Sequence, residues 1–511
     1  MTQRNFVYAS ARMENGRSSV NLSDKYEICE GGTAPRIAFV GANADTPGSI
    51  AVHRFTNEVD GGVVYAPSAG CSDGWVEGPV AFYAHAQSAE GRIEMSASSL
   101  AGPDGAVYLL APSDGLTEIE EVQSLGTGAF FVRPVDKSRW MEQTPAIHTK
   151  KLRHICLPCA HDAATAVMQD IKTDDNGEDI AGFLNTLKRI GDDIAATGIG
   201  IVIDIPLWLA DNLFGVVKGL GRAQSQSIKG QLEGGIRGLD LRVYYYAEDD
   251  TFYTYHGALG EKLETVLDEI GAFLASRIGE IVFLTFTHSR HISSQSLKDR
   301  LTNMIQSKIG AFAYARTGTN DGTLFDQTYS AIVGQNHTGS KAIIVYSEAV
   351  APEFWPSSYT GQGSSKIEGF YSNSSHVDTM LSKQIQHYET AKTDDKPFSL
   401  FMTLTPQESD VYERVAGAIA GPLAAAALLV IWLPWVFAAV EALAVALAIY
   451  NATLSWRTLE ELTETLSPTL AQKVQDNFVP ATGPNLVSLV WVDFYEKSGI
   501  VDLAITLSEK S

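Results

Sequence analysis

From about residue 139 onward, short apolar runs alternate with stretches in which apolar positions recur every three or four residues. Residues 261–278 show the second pattern, with Leu263, Val266, Leu267, Ile270, Phe273 and Leu274 on one face of an amphipathic helix. Gly279 then leads into the run Ile281-Val282-Phe283-Leu284-Thr285-Phe286, which reads as a strand. Residues 296–309 and 376–391 read as further helices, and 342–346, 398–404 and 486–494 as further strands. This alternation predicts an α/β fold, a TIM-like (β/α) barrel whose functional groups sit at the C-terminal ends of its strands.

Residues 1–138 carry a different pattern. Candidate strands begin near Phe6, Ile37, Ile50, Pro79, Arg92, Ala106 and Ala129, separated by turns of Gly, Ser, Asp and Pro, with almost no helical spacing. An all-β, sandwich-like domain is expected. The expected organisation is therefore an accessory or binding domain over 1–138 and a barrel domain over 139–511. The first domain shows no catalytic constellation, which leaves a binding module or a structural cap.

Two apolar stretches interrupt the barrel rhythm, near 194–220 and 415–450. The second carries a single charge, Glu441, with Trp432 and Trp435 flanking Pro434. It exceeds the roughly 20 apolar residues that cross a bilayer, but a single crossing would separate two strands of one barrel. Two shorter helices broken at Pro434 are expected instead, either dipping into a membrane or packing on the barrel.

Charge narrows the function classes. A net charge of −22 opposes nucleic-acid binding and unassisted attraction to anionic membranes, so any lipid-directed role needs apolar insertion or local basic patches. Four cysteines in 511 residues do not make a disulfide framework. Cys156 and Cys159 form a C-x-x-C, but no second Cys or His pair accompanies it, and packing is the better reading. The first residues lack the apolar core of a signal peptide, which points to a cytoplasmic or peripheral membrane location.

Candidate chemistry sits where strand-like runs end. Residues 154–165 run through Leu157-Pro158-Cys159-Ala160 to His161 and Asp162. Residues 235–243 read Gly-Ile-Arg-Gly-Leu-Asp-Leu-Arg-Val, placing Arg242 inside an apolar strand, and Tyr255-His256-Gly257 follows. Residues 489–495 end a third strand on Asp493. A buried guanidinium needs an anion, so Arg242 is hard to read as packing alone. An isolated Tyr-His-Gly is commonly a turn, and Asp493 alone reads equally as a helix cap.

Taken in order, these stretches resemble the X-domain of phosphatidylinositol-specific phospholipases C, especially the metal-independent bacterial type. That family's pattern reads roughly IPGTHDSGT, then GIRFLDIR, then YHG, then a terminal strand carrying an Asp. Here Cys159-Ala160 replaces the usual Gly-Thr, and Trp140-Met141 is similar to the family's opening segment. The resemblance covers about 139–511, with large interruptions.

The resemblance implies a phosphodiesterase that cleaves phosphatidylinositol or a related (glyco)phospholipid. It implies that His161 takes the proton from the inositol 2-hydroxyl and His256 protonates the diacylglycerol oxygen. Arg242 would stabilise the phosphate, Asp493 would hold the His161 tautomer, and Asp162 would support His256. Calcium-dependent members carry a carboxylate ligand where Arg242 stands, so no metal and no cofactor are expected. His288 is a candidate substrate contact; with Arg290 and His291 it either lines the rim or belongs to a solvated loop. Ser347 and Glu348 follow the strand at 342–346 as further candidate contacts, where a basic residue is expected, and this leaves the head group open. The expected partners are a phospholipid substrate and a membrane surface reached through the apolar insertions, with no nucleic acid; oligomeric state is not legible. Competing readings are a sphingomyelinase D-like or glycerophosphodiesterase-like enzyme, and a non-catalytic membrane-perturbing protein on a relic barrel. The first two need a magnesium or calcium carboxylate cluster, against which Arg242 argues.

Overall fold

The computed structural model describes most of residues 135–173 and 218–314, then 324–334, 339–346, 355–356, 367–392, 396–407, 458–479 and 486–509; before residue 133 it describes strands and short turns between positions 6 and 132. The apolar stretch at 415–450 and positions 194–217 lie outside the described residues, as do Ser347 and Glu348. No helix among the described residues is long and apolar enough to cross a membrane.

The described residues before position 133 form strands in two antiparallel sheets. Strands β1 (Phe6–Glu14), β2 (Arg17–Ser23) and β3 (Arg36–Val40) make one, in the order β2-β1-β3. The other contains β4 (Ser49–Asn57), β5 (Val63–Pro67), β6 (Trp75–His85), β7 (Ile93–Gly102), β8 (Gly105–Pro112), β9 (Val122–Ser124) and β10 (Phe130–Val132). Leu22 joins Val52, Tyr65, Phe82, Ala84 and Met95 in one buried cluster, and its N–H donates to the Tyr65 hydroxyl at 2.7 Å. That contact ties the two sheets together, as expected of a sandwich.

The remaining strands form one sheet: β11 (Leu157–Ala160), β12 (Gly238–Tyr246), β13 (Thr251–Tyr255), β14 (Leu259–Lys262), β15 (Ile281–Arg290), β16 (Lys341–Tyr346), β17 (Trp355–Pro356), β18 (Glu368–Phe370), β19 (Phe398–Met402) and β20 (Val487–Val492). Eight of them run parallel in the order β17-β16-β15-β12-β11-β20-β19-β18, so that the last strand in the chain lies beside the first. Among the described residues no pairing joins β17 to β18, so the sheet has two edges there rather than the closed barrel expected. Strands β13 and β14 are antiparallel additions to β12.

Burial explains these elements. Strand β20 is buried at every position, and Ile281–Phe286 of β15 likewise, so both read as unbroken apolar runs. Helix Leu263–Ser276 buries the six expected apolar residues on one side. Helix Gln295–Ile309 starts where the Ser294 hydroxyl accepts from the Leu297 N–H. Cys156 and Cys159 are buried free thiols, and burial pushes the Cys156 thiol up to about 12. Cys159 Sγ fills the space over Gly238, where any Cβ would run into it.

At the N-terminal ends of β12 and β15, opposite the strand ends that carry His161 and Asp493, Arg237 and Glu280 are fully buried together. Arg237 Nε donates to Glu280 Oε2 at 2.7 Å, and its remaining donors reach the carbonyls of Leu232, Ile236, Lys137 and Ser138. Removing one partner strands the other charge in a dry site. Glu280→Ala is therefore expected to cost about 3–5 kcal/mol, read as a lowered midpoint in denaturant unfolding; an unchanged midpoint would refute this role for the pair.

Candidate active site

Strands β11 and β20 pair in register, with Ala160 opposite Val492. The next residue of each strand, His161 and Asp493, therefore emerges at the same edge, and His161 Nδ1 lies 2.9 Å from Asp493 Oδ1. Each is followed by a residue in the left-handed region, Asp162 at φ 43° and Phe494 at φ 44°. Such non-glycine turns cost about 1–3 kcal/mol each and persist where the surroundings hold them.

Asp162 is the hub. Its Oδ1 is 2.5 Å from Arg242 Nε on β12, and its Oδ2 lies 3.5 Å from His161 Nε2 and 3.4 Å from His256 Nδ1. Burial alone would raise its pKa, but Arg242, His161, His256 and His288, in decreasing order, hold it far below the usual carboxylate range. Arg242 is correspondingly fixed as a cation: burial opposes its charge, and Asp162 and Asp240 outweigh that.

The two histidines are held differently. For His161, burial disfavours the charged form, but Asp162 and then Asp493 outweigh it and raise the pKa to about 9. Burial pushes Asp493 up, and His161 draws it back toward the ionised form. His256 closes β13, and its Nδ1 is nearer to the Gly221 carbonyl, at 2.7 Å, than to Asp162. A carbonyl can only accept, so Nδ1 carries the hydrogen and Nε2 is left for proton exchange.

The sequence-predicted residues His161, Asp162, Arg242, His256 and Asp493 thus converge on one place. His288 lies near them on the exposed end of β15, at φ 50°, where partial desolvation and then Arg242 disfavour its protonation. Two neighbours had no assigned role. Asp240 alternates with Arg242 on β12; its Oδ1 accepts from Thr287 Oγ1 at 2.7 Å and its Oδ2 from the Asp162 N–H at 3.4 Å. The period-two spacing of Asp240 and Arg242 was the available signal. Tyr371, just after β18, places its ring 5.8 Å from that of His161 and shares a 2.7 Å hydrogen bond with Thr405. A three-residue strand offers no alternation, so no pattern announced it.

His161, Asp162 and Asp240 offer ligand atoms within 4.8 Å of one another. The donor types suit a divalent cation. The Arg242 guanidinium already sits against Asp162, however, and an ion there would face a fixed positive charge.

No protein-family model matches the chain. In sequence, it is 27% identical over 154 residues to the PI-PLC X domain-containing protein 3 of Mus musculus, covering 29% of this chain and 41% of that protein. It is 27% identical over 227 residues to the 1-phosphatidylinositol phosphodiesterase of Listeria monocytogenes, covering 42% of this chain and 67% of that protein. The chain thus spans about two fifths of the length of the mouse relative. A solved structure of the phosphatidylinositol-specific phospholipase C from Listeria monocytogenes superimposes with a TM-score of 0.44 and 17% identity, covering 72% of this chain and 98% of that one. The sequence matches bear out the resemblance read from the motifs: the chain is similar in sequence to a PI-PLC X domain-containing protein and to a bacterial 1-phosphatidylinositol phosphodiesterase.

Proposed function

We propose that this protein is a metal-independent phospholipase C-type phosphodiesterase acting on phosphatidylinositol or a related (glyco)phospholipid, on a barrel completed through β17 and β18. The observation that supports it is the convergence of two imidazoles and a guanidinium on the single carboxylate of Asp162. A phosphodiester needs a base for the attacking hydroxyl, an acid for the leaving oxygen and positive charge at the phosphate, and these residue types supply all three.

In this reading His161 Nε2 takes the proton of the inositol 2-hydroxyl, and that oxygen attacks phosphorus. The bond from phosphorus to the glycerol oxygen breaks, and His256 Nε2 supplies the proton that makes diacylglycerol. The other product is a cyclic phosphate of the head group. Arg242 neutralises the charge that gathers on the phosphate oxygens. Asp493 keeps the His161 proton on Nδ1 whenever the ring is neutral.

The substrate is presented at a membrane, with the apolar insertions as the contact, because a net charge of −22 gives no electrostatic hold on anionic lipid. His288, Ser347 and Glu348 are the proposed head-group contacts. A second reading, a metal-assisted phosphodiesterase of sphingomyelinase D-like or glycerophosphodiesterase-like kind, draws on the His161–Asp162–Asp240 cluster. The deciding experiment incubates the protein with defined phospholipids, in vesicles and as short-chain monomers, with and without chelator. Diacylglycerol release from phosphatidylinositol in chelator is expected. Cleavage seen only with added magnesium or calcium would favour the second reading, and no cleavage of any lipid would favour a non-catalytic membrane-perturbing protein.

A further inference from the structure

The short segment that leaves the apolar stretch near 194–220 touches the backbone of both reacting strand ends. Residues 218–221 make a helical turn, and the chain then runs without regular structure to Gln224. Gly221 supplies the carbonyl bound by His256 Nδ1, and a side chain at that position would collide with the His256 backbone. The Ala223 carbonyl accepts from the Phe494 N–H at 2.8 Å. Thr165 Oγ1 accepts from the N–H groups of Ala223 and Gln224, at 3.0 and 3.1 Å, and donates to the Asp162 carbonyl at 2.8 Å.

Gln224 makes the central contact. Its side chain is fully buried, and Nε2 donates to the carbonyls of His161 at 3.0 Å and Val492 at 2.9 Å. Its Oε1 accepts from the Tyr495 N–H at 3.4 Å. One carboxamide therefore spans the ends of β11 and β20, one residue before the left-handed Asp162 and two before the left-handed Phe494. A primary amide is suited to this: two N–H donors on one planar nitrogen meet two carbonyls and add no charge.

We propose that Gln224 is a positioning residue for the reaction, bridging the His161 and Val492 carbonyls so that the His161 imidazole and the Asp493 carboxylate stay at hydrogen-bonding distance. The proposal rests on the phosphodiesterase reading for its effect on rate. The same segment, through the Gly221 carbonyl, orients His256, so both proton-transfer groups depend on residues 221–224.

The test is Gln224→Met, which keeps the length of the side chain and removes both donors. With the bridge gone, kcat is expected to fall about 10- to 100-fold, as when a supporting partner behind a reacting group is lost. KM should stay within about twofold, because no substrate contact is removed. The His161 imidazole, followed by NMR and assigned by its loss in His161→Ala, should titrate below about 9, since Asp162 still raises it but Asp493, the second carboxylate that does so, is no longer held in place. Gln224→Asn keeps the neutral carboxamide on a stem one methylene shorter, so it weakens the bridge without adding charge and should give an intermediate His161 titration; it carries the test if the Met variant does not fold. An unchanged His161 titration in the folded variant overturns the proposal, as does a kcat loss without any shift. Absence of lipid cleavage by the unaltered protein would instead overturn the phosphodiesterase reading, while the titration still reports on the Gln224 bridge.

Discussion

Alanine at His161, or at His256, is expected to lower kcat by at least roughly 10²–10⁴-fold, the usual worth of a positioned proton transfer. The geometry gives each ring its own part. His161 is bound through Nδ1 to Asp493 at 2.9 Å, and its Nε2 faces Asp162 at 3.5 Å. His256 is bound through Nδ1 to the Gly221 carbonyl. Because Asp162 and Asp493 outweigh burial and raise His161 to about 9, the base form fills only as pH rises. The ascending limb of kcat/KM should therefore extend toward pH 9. The sign for stability is opposite: a pKa raised above the ordinary imidazole value of 6.5 contributes stability that is full below that value and is lost as pH rises through about 9. Asp493→Asn removes one of the two carboxylates holding the proton, so it should move the ascending limb to lower pH while reducing kcat. A pH–rate series on a short-chain lipid checks all of this. A His161→Ala protein that cleaves at the parental rate would remove the assignment.

Arg242→Lys is expected to lower kcat by about 10²–10³-fold, the scale of losing one preorganised donor at a developing charge. Lysine keeps the charge but not the planar fork, so it cannot hold Asp162 through one nitrogen and a phosphate through the others. Activity of the unaltered protein should survive exhaustive chelation, because the guanidinium occupies the position where an ion would balance Asp162 and Asp240. Arg242→Leu should be at least as impaired, and calcium is not expected to restore it, since the apolar side chain supplies no ligand. Rate measurements on the three proteins, in chelator and in millimolar calcium, separate these cases. Loss of parental activity in chelator, reversed by calcium, would overturn metal independence and return the His161–Asp162–Asp240 cluster to the centre of the chemistry.

Much of the framework was legible because local pattern and burial agree in it. The helix at Leu263–Ser276 buries the face that its spacing marked, and the apolar core of β15 lies where it was read. Other elements exist only through their partners. Strand β2, Arg17-Ser18-Ser19-Val20-Asn21-Leu22-Ser23, has no apolar alternation of its own strength; seven registered pairs with β1 make it a strand. Strand β15 runs on to Arg290 through polar residues because β12 continues beside it, with Tyr244 opposite Arg290. Strand β18 is three residues long, and the ring contact of Tyr371 with His161 came with it unannounced.

The site divides in the same way. The sequence by itself determined which residue types mark the strands: His161 with Asp162, His256 and Asp493 follow apolar runs that stop on a polar group, and Arg242 interrupts one. Tertiary structure alone decided who meets whom. His161 and Asp493 are 332 residues apart and pair because β11 and β20 lie in register. Gln224 had no signal at all, since a glutamine in a polar stretch looks the same whether it faces water or bridges two strand ends. Arg237 and Arg242 stand in one motif and look alike as sequence. Arg237 precedes β12 and is neutralised by Glu280 at the N-terminal end of the sheet, whereas Arg242 lies along the strand beside Asp162. A buried guanidinium is stable only where an anion and acceptors surround it, and which arginine keeps donors for a substrate depends on neighbours that come from other strands.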